Sequence, residues 1–491
     1  MGEPATTPCA NCQRLEEQVR TQQEQLRTLQ AQLDAFAVRF ADMEATLARV
    51  QAQLAAARKD SSTSSKPPSS DIVKPAKPQP PPGQDKRHIG GQPGHPKHER
   101  LLFPPEQLTE PVHHYIPEIC PDCGQGLQPA GDEPRVIQQI EFPIVPIQIT
   151  EHQSHPGWCP HCCKVHYAAL PAVVASGGLA GPRLTTLIAY LKGACHASFS
   201  TIRKFLRDVL HVTISRGQLV KILYKVSAAL DEPYQELLDA LPLENVLNVD
   251  ETGHKQNGQA WWTWCFRASL FTLFKIDPQR NTEVLIEVLG KEFAGVLGCD
   301  YFSAYRRYLR EFGVLMQFCL AHLIRDVKFL LTLPDQRDRA YGARLREALR
   351  DLFAVIHRRD SLSPAAFQTQ LKVARQAVLE TGTRNVPDTQ RSQNLAKRFR
   401  KHGAAYFQFI TTPAIEPTNN LAEQAIRFVV LDRIVTQGTR GEAGNRWCER
   451  IWTIIATCAQ QGRSVFDYLY EAVKARLETT GAAPSLMPTT S

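Results

Sequence analysis

The sequence predicts a multidomain α/β protein. Three observations carry that prediction: an N-terminal stretch with an apolar seam every 3.5 residues, two Cys-x-x-Cys pairs beyond a Pro- and Lys-rich tract, and short apolar strands alternating with helices from Leu247 onward. A chain of 491 residues, 43% of them hydrophobic, has room for about three domains and at least one real core. The formal net charge of +8 permits binding to phosphate backbones without requiring it. No long uninterrupted apolar window and no basic segment leading into a hydrophobic one is present, so neither a membrane span nor a secretory signal is expected, and the protein is expected in the cytoplasm.

Residues 1–58 read as a coiled-coil oligomerisation segment. Leu15, Val19, Gln22, Leu26, Leu29, Leu33, Phe36, Phe40, Met43, Leu47, Val50 and Leu54 alternate steps of four and three, and only Gln22 is polar. Such a seam winds helices around one another, whereas a helix packed on its own domain carries a wider apolar stripe. A homo-oligomer is therefore expected, with Gln22 as a register-setting site.

Residues 59–108 form a Ser-, Pro- and Lys-rich basic linker that cannot bury a core. Nine Lys or Arg stand against four acids between Arg58 and Arg100, so the tract, with Lys86 and Arg87, reads equally as a linker or as an arm along a DNA backbone.

Residues 109–170 carry Cys120-Pro-Asp-Cys123-Gly and Cys159-Pro-His-Cys162. Thiolates with two residues between them grip one tetrahedral ion, and in a reducing compartment such pairs favour metal over disulfides. The expected ligands of a structural Zn2+ are Cys120, Cys123, Cys159 and Cys162, with Cys163, His155, His161 and His166 as rivals. Arg135 to Ile149, rich in Val and Ile, is expected to supply strands that carry the knuckles.

Residues 171–240 read as helical, through Leu184 to Lys192, Thr201 to Leu210 and Gln218 to Leu230. The break at His211 to Ser215 fits a helix-turn-helix with Arg216 and Lys221 facing a groove, and fits a plain helical connector as well.

Residues 241–470 read as a catalytic domain. The order is a short strand Val246 to Asp250, a hairpin of Trp261 to Arg267 with Leu270 to Ile276, a helix Thr282 to Leu289, and a strand Gly295 to Asp300. A helix from Ser303, a strand Val314 to Phe318 and a helix from Leu320 follow. Three strands, helix, strand, helix, strand, helix is the order of a ribonuclease H-like nuclease core. Asp250 and Asp300 are expected at the ends of neighbouring strands, where two carboxylates repel unless a hard cation such as Mg2+ or Mn2+ neutralises them. A third acid comes from Ile415 to Arg427. Pro417 keeps Glu416 extended ahead of the helix, so Glu423, one turn inside and capped by Asn419, is the better-placed ligand. Glu251 and Asp326 read as supporting or surface acids. Glu449 to Cys458, with Trp452, reads as an apolar helix packed on the sheet, and 471–491 as a flexible tail.

The chain resembles the transposases of bacterial insertion sequence 66. The likeness runs in order through the zipper-like seam, Ser64-Ser65-Lys66-Pro67-Pro68-Ser69-Ser70-Asp71, Gly90-Gly91-Gln92-Pro93-Gly94-His95, the two cysteine pairs, Asp250-Glu251-Thr252, Asp300-Tyr301 with Tyr305, Cys319-Leu-Ala-His322 and Thr418-Asn419-Asn420-Leu421-Ala422-Glu423. It implies a retroviral-integrase-type core with Asp250, Asp300 and Glu423 as its acidic triad, His322 beside the chemistry, and an all-helical insertion over about 329–409. It further implies cutting at the element's 3' ends and joining to target DNA, with the terminal inverted repeats and accessory proteins of the same element as partners. Arg427 and Arg433 are candidate DNA clamps. The chain lacks the Arg-rich and Lys-rich stretches that many relatives carry at His322 to Asp326 and Asp432 to Ile434. The rival reading is a non-catalytic DNA-binding regulator with a degenerate core, against which the three intact acids argue.

Overall fold

The computed structural model describes residues 10–57, 59, 102–108, 112, 147–159, 161, 164–412, 414–478 and 483–487. The chain divides into two compact units, one of Met1–Pro75, Ser154–Phe205 and Thr213–Ser491, the other of Ala76–Gln153 and Leu206–Val212. In the second unit a 3-10 turn, Pro105–Gln107, is described, and the amide of Val212 donates to Leu206 O at 2.9 Å.

In the first unit, α1 (Ala10–Ala57) is a single helix of 48 residues, about 70 Å long. Its apolar seam, from Leu15 to Leu54, is exposed on this chain. Next come the hairpin β1 (Pro156–Cys159) and β2 (Lys164–Tyr167), in which Cys159 pairs with Lys164. Cys159 therefore ends the first strand of a hairpin, which the sequence reading missed. Ile147 to Ile149, expected as strand, has no regular structure, and Arg135 to Pro146 lies outside the described residues.

The helices α2 (Ala172–Gly177), α3 (Pro182–Gly193), α4 (Phe199–Leu210), α5 (Arg216–Ala229) and α6 (Asp231–Ala240) follow. Among the described residues only Ala172–Gly193 has the length and composition of a membrane span. It breaks at Gly178, whose φ of 68° suits glycine, and α3 packs on α5.

The centre of this unit is one mixed five-stranded sheet, an α/β core. Its strands are β3 (Val246–Gln256), β4 (Gln259–Arg267), β5 (Thr272–Asp277), β6 (Val296–Cys299) and β7 (Leu315–Phe318), in the order β5-β4-β3-β6-β7. β3, β4 and β5 are antiparallel neighbours, whereas β6 and β7 run parallel to β3. The crossovers are α7 (Thr282–Leu289) and α8 (Ser303–Phe312). β3 does not stop at Asp250. It pairs with β6 only over Val246 to Asn248 but with β4 as far as Gln256, because Asn257-Gly258, both at positive φ, closes a two-residue hairpin there. Asp250 is thus a mid-strand residue, just past the point where the parallel pairing ends.

After β7 come α9 (Leu320–Leu330), α10 (Gln336–His357), α11 (Pro364–Thr383) and α12 (Gln390–His402), with only 3-10 turns between α12 and Ile410. The chain returns to the sheet through α13 (Asn420–Thr436), which packs on β3 and β4, and α14 (Glu442–Gln460), which packs on β5; α15 (Val465–Glu478) packs on α2 and α3.

The outer edge of β5 is closed by α14. The amides of Thr272, Phe274 and Ile276 donate to Thr457 Oγ1 (3.2 Å), Thr453 Oγ1 (3.0 Å) and Glu449 Oε1 (2.6 Å). Four helical residues rise about 6 Å and two strand residues about 6.7 Å, so side chains at every fourth helix position match every second strand amide. An exposed edge is thereby removed.

Candidate active site

Alternation along β3 sends Asn248, Asp250, Thr252 and His254 to the face under α13 and α14, and Glu251 to the face under α7 and α8. On the first face Asn248 Nδ2 donates to Asn419 Oδ1 at 2.9 Å, and Asn419 Nδ2 donates to Val249 O at 2.8 Å. The backbone amide of Asn419 donates to Cys319 Sγ at 3.2 Å. Asn419 stands at the N-cap position of α13 but makes no side-chain cap bond, contrary to expectation: its amide is used to tie the helix start to β3. Gly298 makes room, since a Cβ there would collide with Asn248 Nδ2.

Asp300 follows β6 directly and accepts from the Phe302 amide at 2.8 Å; Asp250 accepts from the Glu251 amide at 2.9 Å. Burial, with the charges of Glu251, Asp300 and Glu423, holds the Asp250 carboxyl well above the usual carboxylate range. Asp300 is pushed up to about 6, first by burial and then by Glu251, with Glu423 adding to the rise. The sheet and α13 therefore gather Asp250, Asp300 and Glu423 into one electrostatic cluster.

Glu251 also belongs to that cluster. Its side chain is 1% exposed, which removes it from the surface, and it accepts from Arg280 Nη2 at 2.8 Å and from the Tyr305 hydroxyl. Arg280 lies 4.4 Å from the Trp262 ring and 4.1 Å from the Phe302 ring. Arg280 carried no sequence signal, because the contact joins the β5–α7 turn to β3 only in three dimensions.

Glu423 sits in the first turn of α13, and Glu416 is exposed ahead of it. His322, in the first turn of α9, places Nδ1 3.6 Å from Glu423 Oε1, and Arg325 Nη2 lies 3.6 Å from Oε2. Burial, with the Arg325 charge, pulls the His322 ring down to about 4, so it is neutral at pH 7. Asp326, no free surface acid, accepts from Arg398 at 2.6 Å.

Arg433 Nη1 donates to Thr252 Oγ1 at 3.1 Å, whereas Arg427, Arg216 and Lys221 are exposed. Ser215 caps α5 by accepting from the Gln218 amide at 3.2 Å, and Arg216 lies 5.4 Å from the Phe199 ring. Asp432, part of the departure at 432–434, is buried and accepts from Trp452 Nε1 at 3.0 Å, beside His196 at 3.3 Å. A packing duty thus occupies that position. Lys86, Arg87, Cys120, Cys123 and Cys162 lie outside the described residues.

A family model for the IS66 family of transposases matches residues 177–446, more than half of the chain. The chain belongs to that family. In this transposase the match takes in the whole five-stranded sheet, the helical tract after it and the helix that bears Glu423. A second model, a family of unknown function (DUF6444), matches residues 6–101. No curated protein matches the chain.

Proposed function

We propose that the transposase hydrolyses the phosphodiester at the 3' ends of its element and joins those ends to target DNA, with Asp250, Asp300 and Glu423 as the catalytic acids. One observation carries the reading: one aspartate lies inside β3, a second directly follows its parallel neighbour β6, and Glu423 stands in the first turn of α13, the helix packed on β3. The strand order and the antiparallel-then-parallel pairing support reading the sheet as a ribonuclease H-like, retroviral-integrase-type core.

The donor set of the three acids is oxygen only, which suits Mg2+ or Mn2+, and a divalent cation offsets both the burial and the repulsion that raise the two aspartates. Bound there, such ions supply Lewis acidity to the attacking oxygen and to the leaving 3' oxygen. The protein's own contribution is position. β3 and β6 fix the two aspartates, Asn419 fixes the start of α13, and Arg280 offsets part of the charge of Glu251. His322, neutral at pH 7 and 3.6 Å from Glu423 Oε1, is assigned to hydrogen-bonding a scissile phosphate or to supporting Glu423. Exposed Arg216, Lys221 and Arg427, together with Arg433, Lys86 and Arg87, are assigned to DNA, α1 to self-association, and Cys120, Cys123, Cys159 and Cys162 to a structural Zn2+ that shapes recognition of the terminal repeats. The site of action is the bacterial cytoplasm, on the chromosome, with accessory proteins of the same element as further partners.

The test is strand cutting at the element's own ends in magnesium. Asp250→Asn, Asp300→Asn and Glu423→Gln should each abolish cleavage and joining while repeat binding by gel shift persists. Cleavage at the parental rate by any of the three would overturn the assignment, and folded, repeat-binding protein that never cuts would favour the regulator.

A further inference from the structure

Cys319, His322 and Glu423 offer one ligand atom each, and these atoms lie within 4.8 Å of one another. Each is set by a different restraint. Cys319 continues the line of β7, its amide donating to Cys299 O at 2.8 Å; His322 stands three residues on, in the first turn of α9; Glu423 occupies the first turn of α13. Two helix starts thus converge on one point. His322 Nδ1 and Glu423 Oε1 face each other at 3.6 Å, and among the described residues both are buried atoms with no hydrogen-bond partner. Buried polar atoms are seldom left so, and two that face each other beside a thiol mark a place for a third party.

We infer that Cys319 Sγ, His322 Nδ1 and Glu423 Oε1 form a binding site for one thiophilic divalent ion, of which zinc fits best. Ion-to-ligand distances of roughly 2.0–2.3 Å place tetrahedral ligand atoms roughly 3.3–3.6 Å apart, so the His322–Glu423 pair is already at the required spacing and the rest of the trio needs only a small closure. Sulfur and imidazole select zinc over magnesium, which prefers oxygen alone. Three protein ligands leave a fourth position open. Arg325, now 3.3 Å from His322 Nε2 and 3.6 Å from Glu423 Oε2, supplies the positive charge that balances Glu423, and on ion binding it is left with Oε2. Because a carboxylate has two oxygens, this use of Oε1 is compatible with Glu423 also serving the aspartates. The inference rests on the geometry of the three side chains and not on the cleavage chemistry.

Metal content separates it from that chemistry. The full-length protein is incubated with excess zinc chloride, desalted and counted by mass spectrometry, beside His322→Gln, Cys319→Ser and a Cys120→Ser/Cys123→Ser variant. His322→Gln and Cys319→Ser should each hold one zinc fewer than the parent. In cobalt-loaded Cys120→Ser/Cys123→Ser protein, adding His322→Gln should lower the thiolate-to-cobalt absorption by the share that Cys319 supplies. Equal zinc counts in parent and His322→Gln, with unchanged circular dichroism, would mean a plain His–Glu contact and overturn the inference. Should Cys319→Ser not fold, His322→Gln decides. Since the readout is bound metal, inactive protein that retains the extra zinc would refute the cleavage reading and leave this one standing.

Discussion

Asn248 and Asn419 stand 171 residues apart and share a buried hydrogen bond, Nδ2 of the first donating to Oδ1 of the second at 2.9 Å. With the return bond from Asn419 to Val249 O, it fixes the start of the Glu423 helix to the strand that carries Asp250. Asn419→Ala should lower unfolding stability by about 2 kcal/mol, because it strands a buried carbonyl and a buried amide. Asn419→Asp should not rescue, since a carboxylate cannot donate to Val249 O. Denaturant unfolding checks both, and an unaffected midpoint in either variant removes the tie from the account.

Cleavage should depend on pH through Asp300, with Asp250, raised in the same direction, adding to the effect. The Asp300 carboxyl titrates at about 6, raised by burial and by Glu251, so the ionised form needed to bind a cation is lost as pH falls through that value. Activity at limiting magnesium should rise between pH 5 and 7, and more magnesium should shift the midpoint to lower pH, because cation and proton compete for one carboxylate. A profile flat from pH 5 to 8 at both magnesium levels would contradict the argument.

Arg280 should set where that profile lies. It holds down the charge of buried Glu251, which is a cause of the rise in Asp300, and it lowers Asp300 directly. Arg280→Met should move the activity midpoint upward and cost about 1–3 kcal/mol of stability, the lower end reflecting the partly exposed guanidinium. Arg280→Lys should recover part of both. A midpoint unmoved by Arg280→Met would show that Glu251 is neutralised otherwise.

What the sequence disclosed followed from periodicity and local chemistry. Strands β3 to β7 and helices α7 to α9 were legible because apolar runs of strand length alternate with helical spacing, and Pro417 gave away the start of the Glu423 helix. The length of β3 was missed although Asn257-Gly258 is a strong hairpin signal, since Lys255, Gln256 and Gln259 made the flanks look like loop. The burial of Glu251 was not legible, because nothing in Asp250-Glu251-Thr252 tells which neighbour meets an arginine from the β5–α7 turn. Asn419 was recognised at the helix start for its residue type, but its true partners are distant in sequence.

The same limit applies to α14, whose Glu449, Thr453 and Thr457 look like a polar interruption of an apolar helix and instead cap the edge of β5. Thr453→Val keeps the shape and deletes the acceptor of the Phe274 amide, so it should destabilise by about 1–3 kcal/mol. Glu449 adds a pH signature. Burial raises its carboxyl from 4.5 to about 7, with Arg446 opposing. The folded protein therefore holds this proton more tightly than the unfolded chain; the resulting stability is full below about pH 4.5 and is lost as pH rises through about 7. Glu449→Gln retains an acceptor for the Ile276 amide without the titration, and its unfolding free energy should be flatter than the parent's between pH 5 and 8. Parallel pH curves for the two proteins would show that the carboxyl is ionised throughout and that Arg446, at 2.7 Å, outweighs burial.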